Sequence, residues 1–475
     1  MACSAVAEAK ALHVPAAYGE PPDGWTWSRL DDVSEGVFDC PHSTPKLTDS
    51  GPFVVRTQDI ITGVFRTDQA GRVSEETYTE RIARVTPSRG DILYSREGTY
   101  FGIAAEVPAK TRVCLGQRMV LIRPDKRRLD FSFLRHWLNS PIMAAHIHGY
   151  RDGSVAERLN LPTIRALPVL LPPLTEQKAI AAVLGALDDK IELNRRMNAT
   201  LEAMARALFQ SWFIDFDPVR RNADRDRNQP STHPAGHPSP TGRREGDEGL
   251  VEYDKLFPDS FQDSALGHIP EGWEVKTLAD LTSLITKGTT PTQDDVAGAP
   301  EADSQVNYIR VNSIDEDGSI LPAKVTTIPE SVHAGALKRS ILQPDDVLYT
   351  IAGTIGRIAL AEDWILPANT NQAVAVIRPE QGIPPGFLIL SMRHEAFREE
   401  LHHNVVHAVQ ANLSLGILSK AKIVVPPEKV LRHLFAPIGE LLRKISANRA
   451  QSRTLATLRD TLLPKLLSGE LSVNH

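Results

Sequence analysis

The longest ordered pattern in the chain is a seam of apolar positions at alternating steps of four and three residues. It runs Ile180, Leu184, Leu187, Ile191, Asn194, Asn198, Leu201, Ala205 and Leu208. That alternation is a heptad stripe and predicts a long helix with one buried face. Pro172-Pro173 cannot continue a helix, and Thr175 followed by Glu176-Gln177 supplies a cap and acidic first-turn character. A helix from Thr175 to Phe213 would be ~58 Å long at 1.5 Å per residue. A second seam follows near the end of the chain, through Leu434, Ile438, Leu441, Ile445, Asn448, Ser452, Leu455 and Leu462. Pro437 within it predicts a kink or a delayed start. Asn194 and Asn448 occupy equivalent seam positions, where a buried amide costs stability but fixes register. Two arrangements satisfy the pattern: each helix packs on its own globule, or the two pair antiparallel.

The rest of the chain alternates short β-branched and aromatic runs with Gly, Pro and Asp turns, and it repeats itself. Arg56 returns as Arg310, 254 positions on, and Gly24-Trp25 returns as Gly272-Trp273. DILYSREGTYFG (91–102) returns as DVLYTIAGTIG (346–356), and Ile122-Arg123-Pro124 as Ile377-Arg378-Pro379. Gln117 returns as Gln372, Phe133-Leu134 as Phe387-Leu388, and Leu170-Leu171-Pro172-Pro173 as Val424-Val425-Pro426-Pro427. VLIRP (120–124) and AVAVIRP (373–379) read as buried strands, and Ser132–His148 and Gly386–His403 as helices. The fold class expected is α+β. The domains are an N-terminal arm (1–23), a globule (24–171), a helix (172–217), a linker (218–266), a second globule (267–425) and a second helix (426–475). Within the linker, residues 220–249 carry four prolines and many charges, and before Leu250 almost no aliphatic bulk. They cannot bury enough surface to offset their ordering entropy, so the segment is expected to be flexible.

Composition narrows the chemistry. The 475 residues carry 53 Lys+Arg against 59 Asp+Glu, a net charge of -6, with 41% hydrophobic content. No apolar run approaches the roughly 18 residues of a membrane span, and Glu8 and Lys10 interrupt the start, so no secretory signal is expected. Cys3, Cys40 and Cys114 form no CxxC pair and no disulfide framework, which points to a reducing, cytoplasmic setting. GxGxxG, GxxxxGK and HExxH are all absent. His403 and His407 with Glu399 could hold a metal but lack a matching set elsewhere. Asp259, Glu274 and Lys276 fit the loose PD…ExK pattern of Mg²⁺-dependent nucleases, in which two carboxylates hold the metal and the lysine orients water. That nuclease is the alternative function. The first globule (24–171) holds 20 basic against 17 acidic residues, clustered at Lys126-Arg127-Arg128, Arg112 with Arg118, and Arg81 with Arg84. The second (272–425) holds 12 against 18, a poor non-specific phosphate binder.

The stretch LPPLTEQKAIAAVLGALDDKIELNRRMNATLEAMARALFQSWFIDF (171–216) closely resembles the central conserved region of the specificity subunit of type I restriction-modification systems. DTLLPKLLSGEL (460–471) resembles that family's distal conserved region, and GWTWSRLDDV (24–33) and IPEGWEVKTLADL (269–281) look like the starts of its target recognition domains. The distal helix, with Pro437 and no TEQ triplet, departs from the pattern. The resemblance implies two pseudo-twofold-related target recognition domains separated by an antiparallel coiled coil that acts as a ruler. It implies a non-catalytic subunit that binds double-stranded DNA at a split target. Two modification subunits using S-adenosylmethionine and restriction subunits using ATP and Mg²⁺ would be its partners, and this chain would bind no cofactor itself.

Sequence is read by a few side chains at base edges, Arg or Lys to guanine and Asn or Gln to adenine. Candidates near the repeat-equivalent turns are Arg56, Gln58, Arg96, Tyr100, Gln117 and Arg118 in the first domain. In the second they are Lys287, Arg310, Asn312, Arg357, Asn369, Asn371 and Gln372. Arg56 and Arg310 could equally form internal ion pairs, and Gln117 and Gln372 could cap strands.

Overall fold

The computed structural model describes residues 14, 19–61, 63–98, 100–148, 158–227, 253–405 and 412–473. The chain divides into two compact units, Met1–Arg196 with Asn448–His475, and Met197–Ala447. Each unit therefore holds one globule and a segment of both long helices.

In the first unit the strands are β1 (Thr26–Arg29), β2 (Ser34–Asp39), β3 (Thr48–Val55), β4 (Gly71–Arg72), β5 (Ile92–Ser95), β6 (Ala104–Glu106), β7 (Val113–Leu115), β8 (Met119–Pro124) and β9 (Pro168–Leu171). They form a four-stranded sheet β2-β8-β5-β6, a three-stranded sheet β4-β3-β7 and an antiparallel pair β1-β9. The β1-β9 pair, in register from Thr26↔Leu171 to Arg29↔Pro168, joins the two ends of the globule. Helix α1 (Glu75–Arg81) lies between β4 and β5, and α2 (Phe131–Leu138) follows β8. The helix expected over Ser132–His148 is two, because Pro141 starts a second one (Pro141–His148).

Helix α3 (Leu174–Phe209) leads on into a short π-helical turn, Gln210–Ile214. The second unit contains β10 (Phe261–Ser264), β11 (Gly267–Pro270), β12 (Glu274–Thr277), β13 (Thr282–Lys287), β14 (Gln305–Ile309), β15 (Thr326–Pro329), β16 (Val347–Thr350), β17 (Ile358–Leu360), β18 (Ala368–Thr370), β19 (Val374–Pro379) and β20 (Lys422–Val425). Helices α4 (Pro385–Arg393) and α5 (Glu428–Leu467) complete the set used below. The sheet orders, β13-β19-β16-β17, β15-β14-β18 and β12-β20, reproduce those of the first unit strand for strand. The repeated motifs explain themselves here. Buried Asp91 holds Arg123 from the neighbouring strand at 2.7 Å, and buried Asp346 holds Arg378 at 2.8 Å.

The seam positions turn inward as the heptads require. In the first unit Ile180 and Leu184 join the cluster of Trp25, Phe133, Trp137, Leu463, Leu466 and Leu467. In the second unit Ala205 and Phe209 join Leu434, Phe435 and Ile438. Ile445 is buried, while Leu187, Ile191, Leu201, Leu208, Leu441, Asn448, Leu455 and Leu462 are half-buried. Within the first unit Asp188 meets Arg459 while Asn194 meets Ser452, so the helices run antiparallel. Asn194 does not pair with the Asn448 amide. Its Nδ2 donates to the Asn448 carbonyl (3.4 Å), Gln451 Oε1 (2.9 Å) and Ser452 Oγ (3.2 Å). In the second unit Asn198 donates to the Ile445 carbonyl at 3.5 Å. Pro437 does not delay α5, which starts at Glu428 and runs through it.

The flexible linker expected over 218–266 needs correcting at both ends. Asp217–Arg227 is helical, and Asn222 Nδ2 donates to the carbonyls of Asp254 and Phe257. The hairpin β10-β11 occupies Phe261–Pro270. Burial of Phe257 in the second unit's core offsets the ordering entropy of these ends. Residues 228–252, and most of the expected arm 1–23, lie outside the described residues. Among the described residues no helix is long and apolar enough to cross a membrane.

Candidate nucleic-acid interface

Each unit has one place where the three-stranded sheet ends in parallel strands. In the first, β3 and β7 run parallel with Val55 opposite Leu115; in the second, β14 and β18 run parallel with Ile309 opposite Thr370. Parallel strands deliver both following loops to the same edge. Three hydrogen bonds beyond that edge recur in both units. The amide of Gly116 donates to the Val55 carbonyl, and that of Asn371 to the Ile309 carbonyl. Arg96 donates to the Arg118 carbonyl, and Ile351 to the Ala373 carbonyl. Gly102 closes its turn on Ser95, and Gly356 on Thr350. The approach at Gly116 is close enough to demand glycine, since a Cβ there would lie 2.4 Å from the Val55 oxygen.

The candidate side chains separate sharply at this edge. In the first unit Gln58, Tyr100, Gln117 and Arg118 are exposed. Arg118 adopts φ +73° and reaches Glu97 at 3.4 Å. Arg96 is not available as a base reader: it is 3% exposed, with its guanidinium 3.1 Å from Asp39. Arg56 is committed within the lobe, its guanidinium gripping buried Asp59 through Nε (3.1 Å) and Nη2 (3.0 Å). In the second unit Lys287, Arg310, Asn312 and Gln372 are exposed, with Arg310 lying over the Tyr308 ring rather than in an ion pair. Asn369 is fully buried and bridges the Leu337 carbonyl and His333, so it is a core residue and not a reader. Arg357 is half-buried, donates to the Ile314 carbonyl at 2.7 Å and lies 3.7 Å from Glu316. The Oδ1 of half-buried Asn371 is sealed from solvent without a hydrogen-bond partner.

The basic clusters seen in the sequence are mostly spent elsewhere. Lys126-Arg127-Arg128 follows the far end of β8 from Arg118; Arg127 pairs with Asp125, and Arg128 donates to the Asp32 carbonyl. Arg112 pairs with Glu75 at 2.6 Å. Arg81 is buried and donates to the carbonyls of Leu115, Pro41 and Ser43. Sequence reading missed the loop that Arg81 holds and the repeat of that loop in the second unit. Ser43-Thr44-Pro45 recurs as Thr289-Thr290-Pro291, 246 positions on, and that shift was the available signal.

The nuclease residues do not form a centre. Glu274 and Lys276 pair with each other on β12 at 3.2 Å, and Asp259 accepts from the Ser260 hydroxyl. Among the described residues the one cluster of three His, Cys, Asp or Glu side chains within metal-ligating reach of one another is Asp39, Cys40 and His42. Burial pushes the Cys40 thiol up, away from the thiolate a metal needs, and the Arg96 guanidinium already occupies Asp39. His407, paired in sequence with His403, lies outside the described residues.

What seats each globule on the helices also differs. In the first unit Asp188 of α3 accepts from Arg135 of α2 and from Arg459 of α5, both at 2.9 Å. Burial works to raise the Asp188 carboxyl, but the two arginines outweigh it and hold it below the usual carboxylate range. Burial, reinforced by the Arg135 charge, pushes His136 down to about 3, so it is neutral. In the second unit the seat is aromatic: Phe387 of α4 packs on Phe209, Phe213 and Phe435 with ring centroids 5.4–6.2 Å apart.

Residues 22–203 and 270–430 match the family described as the type I restriction modification DNA specificity domain. The chain is similar along nearly its whole length to the HindI specificity subunit of Haemophilus influenzae, at 25% identity over 94% of this chain and 99% of that one. It is similar to the MjaIX specificity subunit of Methanocaldococcus jannaschii at 22% identity, covering 96% of each. The EcoBI specificity subunit of Escherichia coli is 24% identical, over 95% of this chain and 87% of that one. Among solved structures, the S subunit of a type I restriction-modification system from M. genitalium shares the fold, with TM-score 0.53 and 16% identity over 94% of this chain and 98% of that one.

Proposed function

The chain belongs to the type I restriction-modification DNA specificity family, and from that premise we propose that it reads a DNA target in two separated halves for partner subunits that carry out the reactions. The observation that carries this reading is the duplicated edge. Two globules with one strand order end their parallel strands in the same hydrogen-bonded frame, and each presents its own polar side chains there. A shared frame with different side chains is what reading two different half-sites requires, because base choice rests on a few side chains at base edges. Gln58, Tyr100, Gln117 and Arg118 are the exposed candidates in one lobe, and Lys287, Arg310, Asn312 and Gln372 in the other. The antiparallel helices carry both globules, and their register sets the unread spacer.

The chain is a non-catalytic subunit in this reading and binds no cofactor. Modification subunits supply S-adenosylmethionine chemistry, and restriction subunits supply ATP- and Mg²⁺-dependent translocation and cleavage. The setting is the cytoplasm. The purified chain alone is expected neither to methylate nor to cleave DNA, and adding the modification subunits is expected to yield adenine methylation at a split site. Methylation by the chain alone would refute the proposal.

A further inference from the structure

Gln117 and Gln372 are repeat-equivalent, exposed amides, and reading adenine would need Oε1 to accept and Nε2 to donate at once. Both are already engaged. Gln117 Oε1 accepts the Thr44 hydroxyl at 3.1 Å, and its Nε2 donates to the His42 carbonyl at 3.2 Å. Gln372 Oε1 accepts the Thr290 hydroxyl in the same way. The threonines sit at matching positions of the loops that follow β2 and β13, Ser43-Thr44-Pro45 and Thr289-Thr290-Pro291. Each loop is tied a second time at the preceding carbonyl. Arg81 donates to the Ser43 oxygen at 3.0 Å, and the Tyr308 hydroxyl to the Thr289 oxygen at 2.9 Å. The tethering groups differ in chemistry, yet they hold the same atom of the same loop. The two unlike lobes therefore tether the same point of the loop by different means.

Resting on the DNA-reading role above, we propose that Gln117 and Gln372 are positioning residues. Each lashes a hydroxyl-Thr-Pro recognition loop to the end of the parallel strands, and the loop, not the glutamine, meets the bases of that half-site. Exposed Lys46 lies on the first loop, and exposed Lys287 stands where the second begins. A glutamine that released its threonine to read a base would remove one of the two ties that hold the loop, so the two roles oppose each other.

The test is a double-mutant cycle in the assembled modification complex, read out as methylation of a duplex library randomised across the target. Thr44→Val and Gln117→Met keep shape while removing the bond, and Thr44→Ser keeps the hydroxyl. The expected result is that Thr44→Val, Gln117→Met and the double variant each lower discrimination by the same factor, about tenfold. The loss is confined to one half of the target, and Thr44→Ser retains the wild-type profile. Thr290→Val and Gln372→Met are expected to do the same to the other half. Both pairs lie on the surface, so unchanged melting curves show that the variants fold. If Gln117→Met abolishes discrimination while Thr44→Val is silent, the glutamine is itself the reader and the inference falls. It falls equally if both are silent. A wild-type complex without a split target would overturn the underlying role and the inference together.

Discussion

Asp188→Asn probes the charged seat of the first globule. The carboxylate is 15% exposed and takes one bond from Arg135 (10% exposed) and one from Arg459 (30% exposed). Removing one partner of a buried ion pair costs about 3–5 kcal/mol, because the other charge is left uncompensated. Here neither arginine is stranded entirely. Arg135 keeps Glu106 at 2.9 Å, and Arg459 keeps Asp460 at 2.7 Å. Arg459 is also partly hydrated, which screens its share. The expected loss is therefore about 2–3 kcal/mol, below the full range for a buried pair. Hydrogen exchange on the full chain is the appropriate assay, since it follows each unit through its own amides. Amides of α2, Phe131–Leu138, should lose protection by a factor of roughly 30–150, while those of α4 keep theirs. The carboxyl is depressed in the folded state, so its contribution is present above the unfolded carboxylate pKa and is lost as pH falls through the folded value. A change below threefold at α2, or an equal change in both units, would show that Asp188 does not seat this globule.

Three further outcomes follow from the same geometry. His136 is held to about 3 when folded against an ordinary value near 6.5, so the unfolded state takes up the proton first. The first unit should lose about 2 kcal/mol between pH 7 and pH 5, a loss that His136→Gln abolishes in pH-dependent urea unfolding followed at α2. Gly116→Ala drives a Cβ into the Val55 oxygen, and Gly288→Ala drives one to 1.9 Å from the Thr370 oxygen. Each should degrade recognition of its own half-site while sparing the other, as scored by methylation of half-randomised duplexes. Phe387→Ala empties the aromatic seat of the second unit and should cost about 3–5 kcal/mol, insensitive to salt, in denaturant titrations at low and high ionic strength.

Much of the architecture was legible because it was written twice. Asp91 with Arg123 and Asp346 with Arg378 recur in sequence because each pair locks two strands of the same sheet. The heptad steps from Ile180 to Leu208 identified the buried face of α3 because a helix repeats its geometry every seven residues. Pro141 was a visible break within the expected helix, whereas the delayed start expected from Pro437 did not occur, since packing of Leu434, Phe435 and Ile438 on either side of it outweighs local propensity. The site was harder to read. Nothing local to Arg96 announces that Asp39 lies beside it, or that Asn369 faces His333 in the core. An arginine or an asparagine reads alike in sequence whether it faces a base or a buried carboxylate. The Thr-Pro loops escaped notice because their shift, 246, departs from the 254 that aligns most of the repeat.

The most direct test of a two-lobed reader is to exchange one lobe. Residues 24–171 would be replaced by the corresponding segment of a homologue with a different target, and methylated adenines mapped across the genome of cells expressing the hybrid with its modification subunits. The account predicts a split target in which one half changes while the other half and the spacer length stay as they were. A target altered in both halves, or one left wholly unchanged, would contradict it.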